Sequence, residues 1–123
     1  MTTVSEPELF TGDGLVGGEC GTCGRRHFPL AEWCPWCGEP DPVRVQLSRH
    51  GTLWSWTSVT AAPPGYEGEV PFGFGVVELA DDGLQVVTRL TEPDPDRLSL
   101  GDPMTFTVVA LDAGRSTWAF TPR

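Results

Sequence analysis

Beyond residue 50, apolar and polar residues alternate with a period of two, which is typical of strands that bury one face. Asp82-Gly83 lies between two of these segments and predicts a tight hairpin turn. The prolines of residues 93–103 predict a loop that contains one helical turn. The predicted strands are residues 51–60 (GTLWSWTSVT), 72–79 (FGFGVVEL), 84–90 (LQVVTRL), 104–111 (MTFTVVAL) and a last strand around Trp118 and Phe120.

Five short strands with glycines inside them fit a small closed barrel, because glycine allows a sheet to bend sharply. The order of the elements indicates an OB-fold, and a split sandwich is the alternative. In the first predicted strand, Trp54 and Trp56 are expected on one face and Leu53 on the other.

The first part of the chain shows no sustained periodicity. Residues 1–18 contain several glycines and are expected to form an extended arm. We expect a metal-binding ribbon over residues 19–45 and the barrel over residues 46–123. The overall prediction from the pattern is a mainly β protein, with a metal-binding ribbon followed by a five-stranded OB-fold.

The ribbon prediction depends on the four cysteines, which all lie within CGTCGRRHFPLAEWCPWCG (residues 20–38). They form two C-x₂-C pairs with ten residues between the pairs: Cys20, Cys23, Cys34 and Cys37. Two such turns place four thiolates around one ion, and zinc is the expected metal. Gly24 and Gly38 follow the pairs and tolerate a positive φ. The alternatives are a mononuclear iron of rubredoxin type, two disulfides, or free thiols.

A four-thiolate site has no open position for water or substrate, so its expected role is structural. Metal binding would stabilise a segment too small to build a sufficient core alone. His27 lies inside the window and is expected to pack or to lie at the surface rather than to bind the metal. Trp33 and Trp36 have two interpretations: they pack over the metal turn, or they contact a partner.

Charge and composition exclude several functions. The net charge is −9 and all eight basic residues are arginines, so the chain has no lysine for a Schiff base or a P-loop. Such an acidic surface repels phosphate backbones, which disfavours nucleic acid as a partner. No apolar run approaches the ~18–20 residues that cross a bilayer, and the N-terminus does not resemble a signal peptide. We therefore expect a soluble, cytoplasmic protein with reduced cysteines and no membrane partner.

No convincing catalytic constellation is visible in the sequence. His27 and His50 are the only imidazoles, and the cysteines are expected to bind metal. Acid pairs such as Asp81/Asp82 occur in turn-forming contexts. The chain is therefore expected to assist chemistry rather than to perform it.

Several motifs, in order, resemble one family: GLVGGECGTCGRRHFPLAEWCPWCG, GTLWSWT, a PPG-containing loop, VPFGFGVVEL and LSLGDPMTFTV. It is the domain-of-unknown-function family in which a rubredoxin-like zinc ribbon precedes an acyl-CoA-associated OB-fold. The resemblance implies a non-catalytic subunit that pairs with thiolase-superfamily enzymes: thiolases, lipid-transfer-type thiolases, aldolases of sterol side-chain breakdown, or acyltransferases. Hot-dog-fold hydratases are a further implied partner class.

The resemblance also implies roles for particular residues. The four cysteines match the zinc ligands, and the loop from Pro63 to Phe72 corresponds to the region near the acyl-CoA path. A CoA thioester is then a substrate of the complex only, and no catalytic residue carries over. The partner-facing or acyl-CoA-path candidates are Arg25, Arg26, Trp33, Trp36, Pro64, Tyr66 and Phe72. The alternative for Arg25 and Arg26 is that they are solvated surface charges. The alternative for Tyr66 is that its ring packs against its own loop and caps it. The alternatives for the whole chain are a nucleic-acid-binding module and an electron-transfer iron protein.

Overall fold

The computed structural model describes residues 9–62, 64, 70–112 and 114–123. Its contacts divide the chain into two compact units, Met1–Leu47 and Ser48–Arg123. Two short 3₁₀ helices, Ala80–Asp82 and Pro95–Arg97, lie in the second unit. The strands of the described residues are β1 (Phe10–Thr11), β2 (Gly14–Glu19), β3 (Arg26–His27), β4 (Val43–Gln46), β5 (His50–Val59), β6 (Phe72–Leu79), β7 (Leu84–Leu90), β8 (Pro103–Asp112) and β9 (Arg115–Pro122). Among these residues, no helix has the length and apolar character needed to cross a bilayer.

The first unit is a small antiparallel sheet centred on β2. This strand pairs with β1, β3 and β4, with Gly18 opposite both His27 of β3 and Arg44 of β4. The buried apolar side chains of this sheet are few, chiefly Leu15, Val16 and Leu47. The described part of this unit, residues 9–47, therefore has only a small hydrophobic core.

The predicted extended arm differs from the structure in its described part, because residues 10–11 and 14–19 are strands of the ribbon sheet, while residues 1–8 lie outside the described residues. The glycines of this segment hide the apolar alternation that would indicate a strand. A Cβ on Gly17 would lie 2.5 Å from the carbonyl oxygen of His27 and 3.0 Å from the side chain of Leu47. Packing at these positions therefore requires the absence of a side chain, and the apolar alternation that would reveal a strand is missing from the sequence.

The second unit is a closed barrel in the order β5-β6-β7-β9-β8, with β8 returning to β5. Neighbours are antiparallel except β7 and β9, which run parallel at Leu90 and Phe120. This is the OB-fold predicted from the strand order, and it excludes the split sandwich. The interior includes an edge-to-face pair of Phe106 and Phe120, whose ring centroids are 6.2 Å apart at 82°. Other fully or nearly buried apolar residues of the barrel are Leu53, Val77, Leu79, Val86, Leu90, Leu98, Met104 and Ala119.

Close strand packing explains two of the glycines in β6. A Cβ on Gly73 would meet the carbonyl oxygen of Glu92, and one on Gly75 would meet that of Ser55. The sequence predicted that glycines mark bends of a barrel, and these two positions have no room for a side chain.

Trp54 and Trp56 were expected on one face of β5, and this prediction is wrong. The register shifts between Leu53 and Ser55, which is the signature of a β-bulge. Leu53 is buried, whereas both Trp54 and Ser55 are exposed. After the bulge, Trp56 lies opposite Gly75 and is half-buried, so the two indoles point to different faces.

Candidate metal centre

Two similar backbone turns carry the cysteine pairs. In the first, the N–H of Gly24 donates to the carbonyl of Cys20 at 2.9 Å, and in the second Gly38 donates to Cys34 at the same distance. The two glycines have φ values of 76° and 83°. The expectation that glycine follows each pair to allow a left-handed backbone is confirmed.

Backbone amides in both turns point at the first sulfur of each pair. The N–H groups of Thr22 and Cys23 both donate to Sγ of Cys20 at 3.4 Å, and that of Trp36 donates to Sγ of Cys34 at 3.4 Å. Donors aimed at sulfur favour the thiolate. The amides of Cys23 and Thr22 outweigh burial and lower the pKa of Cys20 to about 6.

The four sulfur atoms form one cluster. Every pair lies within 4.8 Å, with 3.5 Å between Cys20 and Cys37 and 3.7 Å between Cys23 and Cys34. These separations are too long for a disulfide, whose S–S bond is about 2.05 Å. Sulfurs held about 2.3 Å from a central metal in a tetrahedron would be about 3.8 Å apart. The arrangement therefore fits one metal ion bound by both turns.

Electrostatics also favour a cation at the centre of the cluster. The N–H of Glu39 acts to lower the pKa of Cys37, but the neighbouring cysteines and burial raise it to about 12. The last thiol resists ionisation because three sulfurs already surround it, so four thiolates need a positive ion among them. Four sulfur ligands in a tetrahedron suit zinc or iron.

His27 belongs to the packing of the ribbon sheet. It is 4% exposed, and its Nε2 accepts a hydrogen bond from the N–H of Ala31 at 3.3 Å. Burial lowers the pKa of His27, so the ring is held neutral. Among the described residues, the metal-competent cluster consists of the four cysteines and does not include this histidine.

The two tryptophans beside Cys34 are both exposed, Trp33 at 60% and Trp36 at 57%. Trp36 is nevertheless oriented, because its Nε1 donates to the carbonyl of Arg26 at 3.3 Å and the Arg25 guanidinium lies 5.2 Å from its ring centroid. Arg26 forms an ion pair with Glu19 at 2.9 Å. Arg25 is exposed and Arg26 is half-buried, and each guanidinium has one of these contacts within the ribbon.

The remaining predicted contact residues lie in and after the loop that precedes β6. Pro64 is exposed, and Tyr66 lies outside the described residues. Phe72 is half-buried beneath the guanidinium of Arg89, which is 4.2 Å from the ring centroid. Both residues line a cleft of about 180 Å³. Sequence reasoning missed Arg89, although the hairpin predicted around Asp82-Gly83 already brings β7 beside β6.

Comparison with known proteins places the chain in a family. The family model of the ChsH2 C-terminal OB-fold domain matches residues 44–112. The chain belongs to this family. A scaffold protein with a DUF35 domain from Pyrococcus furiosus is 33% identical over 87 residues, which are 71% of this chain and 62% of that protein.

Two further similarities concern proteins with named partners or activities. A relative from Thauera aromatica, the benzoylsuccinyl-CoA thiolase subunit BbsA, is 31% identical over 94 residues, which are 76% of this chain and 62% of that protein. A solved structure, the Ltp2-ChsH2(DUF35) aldolase, superposes with a TM-score of 0.72 at 28% identity and covers 89% of this chain and 84% of that chain. The chain thus spans less than two thirds of the length of both curated relatives.

Proposed function

We propose that this member of the ChsH2 OB-fold family is a non-catalytic accessory subunit of a thiolase-superfamily enzyme that acts on acyl-CoA. The observation that carries the proposal is its similarity to a thiolase subunit and to a chain of an aldolase complex. The name scaffold protein, given to the archaeal relative, supports a role in organising another polypeptide.

The chemistry of the metal cluster supports a role without catalysis on this chain. Four sulfur ligands complete a tetrahedron and leave no position for a substrate. The cysteines are thereby removed as nucleophiles, and His27 is buried with its Nε2 already accepting a hydrogen bond. The reacting groups are accordingly assigned to the partner.

We propose that the metal is zinc and that its role is to fold the ribbon. The cysteines Cys20, Cys23, Cys34 and Cys37 would hold it, and the small core of the ribbon sheet makes the ion a main source of its stability.

The partner-facing residues are proposed from exposure and chemistry. Trp33 and Trp36 present indole surface on the ribbon, the kind of side chain that is enriched at contact hot spots. Arg25 and Arg26 are the nearby cations for a CoA phosphate. Pro64, Tyr66 and Phe72 are proposed to line the acyl-CoA path, so that the subunit stabilises the partner and helps to shape the channel. Sterol side-chain or other lipid breakdown is the proposed setting, in the cytoplasm.

Reconstitution with a thiolase-fold enzyme from the same genome tests the proposal. The chain alone should not turn over acyl-CoA substrates, and the enzyme should gain activity or thermal stability when the two are co-expressed. A thiolase, a lipid-transfer-type thiolase and an aldolase should each be tried, with a hot-dog hydratase as an additional partner. Turnover by the purified chain alone, or no association with any of these enzymes, would refute the proposal.

A further inference from the structure

The four cysteines of the metal cluster differ in their exposure to solvent. The first cysteine of each pair is buried, with Cys20 3% exposed and Cys34 2% exposed. The second cysteine of each pair, Cys23 or Cys37, is exposed. A sulfur that binds metal is a thiolate, and oxidants attack the thiolates that they can reach from solvent. Each turn therefore presents one metal-binding cysteine to soluble oxidants.

Each exposed cysteine contacts a buried cysteine of the opposite turn. The Sγ atom of Cys37 lies 3.5 Å from that of Cys20, and the Sγ atom of Cys23 lies 3.7 Å from that of Cys34. An S–S bond is about 2.05 Å long, so closing either contact requires an approach of about 1.5 Å. The two contacts use all four cysteines and share none of them. They therefore predict a specific pairing across the two turns, Cys20–Cys37 and Cys23–Cys34.

The buried sulfurs are positioned by the backbone of their own turns. In the first turn, the N–H groups of Thr22 and Cys23 donate to Sγ of Cys20. In the second turn, the N–H of Trp36 donates to Sγ of Cys34. These hydrogen bonds involve no group of the opposite turn and no metal. Each buried sulfur therefore has a support that remains when the ion is lost.

We propose that this cluster is a reversible redox switch, in which hydrogen peroxide exchanges the metal ion for the disulfides Cys20–Cys37 and Cys23–Cys34. The thiolate of Cys37 attacks one oxygen of the peroxide, the O–O bond breaks, hydroxide leaves, and Cys37 becomes a sulfenic acid. The thiolate of Cys20 then attacks that sulfur, so that the S–S bond forms and a second hydroxide leaves. A second molecule of peroxide oxidises Cys23 and Cys34 in the same way.

The oxidation balances with two molecules of peroxide for each cluster. Formation of one disulfide from two thiolates releases two electrons, which reduce one peroxide to two hydroxide ions. The thiolate is the form of cysteine that binds metal, so the ion loses its ligands as the disulfides form. A thiol reductant reverses the change by thiol–disulfide exchange and restores the four ligands.

The two disulfides connect the same two turns that the ion connects. The described part of the ribbon buries chiefly Leu15, Val16 and Leu47, so its fold needs a link of this kind. Disulfides supply such a link by constraining the unfolded chain. The oxidised ribbon should therefore stay folded without metal, whereas metal removal from the reduced ribbon should unfold it. This inference rests on the proposed metal site and does not depend on the identity of the partner.

Peptide mapping of the oxidised protein tests the pairing. Arg25 and Arg26 separate the two cysteine pairs, and no lysine or arginine precedes them, so trypsin places the pairs on residues 1–25 and 27–44. Zinc-loaded wild type is treated with excess hydrogen peroxide, released zinc is measured with a colorimetric chelator, and remaining thiols are alkylated before digestion. All bound zinc should be released, and the two peptides should be recovered joined. Fragmentation in the mass spectrometer should assign the bonds Cys20–Cys37 and Cys23–Cys34, and dithiothreitol with zinc should restore the metal content.

The unfolded chain is the matched control for the pairing. Oxidised in guanidinium with a chelator, it should favour bonds within each C-x₂-C pair, because these close the shortest loops. The two peptides should then be recovered mainly apart. Identical products from the folded and unfolded chains would overturn the claim that the folded cluster directs the pairing.

Hydrogen exchange tests whether the disulfides replace the ion in holding the ribbon. The amides of β2 and β4 should be protected in the oxidised, metal-free protein and should exchange rapidly in reduced protein treated with a chelator. Rapid exchange in the oxidised protein would overturn this part of the proposal.

The outcomes also distinguish this inference from the proposed metal site. Wild type that purifies without metal and takes up none would overturn both. Zinc retained with four reduced cysteines in excess peroxide, disulfides within each turn, or irreversible oxidation to sulfonic acids would overturn the switch and leave the metal site intact.

Discussion

The ribbon and the barrel are both small β units, but they differ in what holds them together. The barrel closes on itself and buries a continuous apolar interior that includes Phe106 and Phe120. Among its described residues, the ribbon buries chiefly Leu15, Val16 and Leu47, and the buried Cys20 and Cys34 belong to the sulfur cluster. The interior of the barrel is therefore hydrophobic, while part of the interior of the ribbon is a metal site.

Because of this difference, we expect removal of the metal to destabilise the two units unequally. Apolar burial stabilises the barrel by about 25 cal/mol per Å² and needs no ligand. The apparent binding free energy of a structural zinc ion is on the order of 10–16 kcal/mol in small zinc modules. The stability of the ribbon should therefore depend on the metal and that of the barrel should not.

Removing one metal ligand should have the largest effect, confined to the ribbon. Cys34→Ser replaces a buried sulfur ligand that the second turn positions, so bound metal should be lost and the amides of residues 14–46 should exchange rapidly. Metal analysis and hydrogen exchange measure both effects, and the amides of β6 and β7 should stay protected. Gly21→Ala is the matched control, because a Cβ there meets nothing within 4 Å. Stoichiometric metal in Cys34→Ser would refute the ligand assignment.

The complementary change in the barrel should leave the metal in place. Phe120→Ala empties a fully buried position that contacts Phe106, and such truncations cost about 3–5 kcal/mol. Urea unfolding should show this loss while metal content remains at the wild-type level. Val108→Ala, at an exposed position, should change stability by less than about 0.5 kcal/mol. A loss of metal in Phe120→Ala would contradict this prediction.

The barrel and the sulfur cluster were predictable because each leaves a local pattern. Alternation over residues 72–79 and 84–90, with the Asp82-Gly83 turn between them, predicts the hairpin of β6 and β7. Two C-x₂-C pairs followed by glycine predict both turns of the metal site. Each of these patterns involves residues that are close together in the chain. A single sequence is therefore enough to recognise it.

Features that depend on long-range packing were not predictable in the same way. The strand β2 was missed because contacts with His27 and Leu47 exclude side chains at Gly17, and the apolar pattern is therefore absent. The β-bulge in β5 places Trp56 on the opposite face from Trp54, and no turn-forming residue marks the position of the bulge in the sequence. Val76-Val77 and Val86-Val87 each place one valine on the inner face and one on the outer face of a strand, so the alternation there is not strict.

A smaller effect is expected from crowding the ribbon sheet. Gly18→Ala would place a Cβ 2.5 Å from Nε2 of His27, a ring that is buried and cannot withdraw. Overpacking of this kind costs about 1–3 kcal/mol. Thermal unfolding of the metal-loaded protein measures it, and Gly12→Ala, whose Cβ meets nothing within 4 Å, is the control. Equal melting temperatures for the two variants would show that β2 and β3 are less closely packed than in the structure.

Acid should weaken the ribbon through His27 by a similar or smaller amount. Burial holds the pKa of His27 below its ordinary value of 6.5, so below that pH the unfolded chain binds a proton that the folded chain excludes. Stability should therefore fall as pH decreases from about 6.5, with a slope of at most about 1.4 kcal/mol per pH unit. The difference between wild type and His27→Gln in unfolding free energy isolates this contribution, because both retain the cysteines. Parallel stability curves from pH 7.5 to 5.5 would contradict it.

The smallest change in stability is expected at the surface of the ribbon, where partner contact and folding can be separated. Trp36→Ala removes an exposed indole that makes a hydrogen bond to the Arg26 carbonyl and a cation–π contact with Arg25. Exposed cation–π contacts contribute about 0.5–1 kcal/mol, so the melting temperature should change little. If the indole faces the thiolase-fold partner, the Kd of the complex should rise much more than this. Val108→Ala, at an exposed position of the barrel, is the control. A lower melting temperature with an unchanged Kd would assign Trp36 to the packing of the ribbon alone.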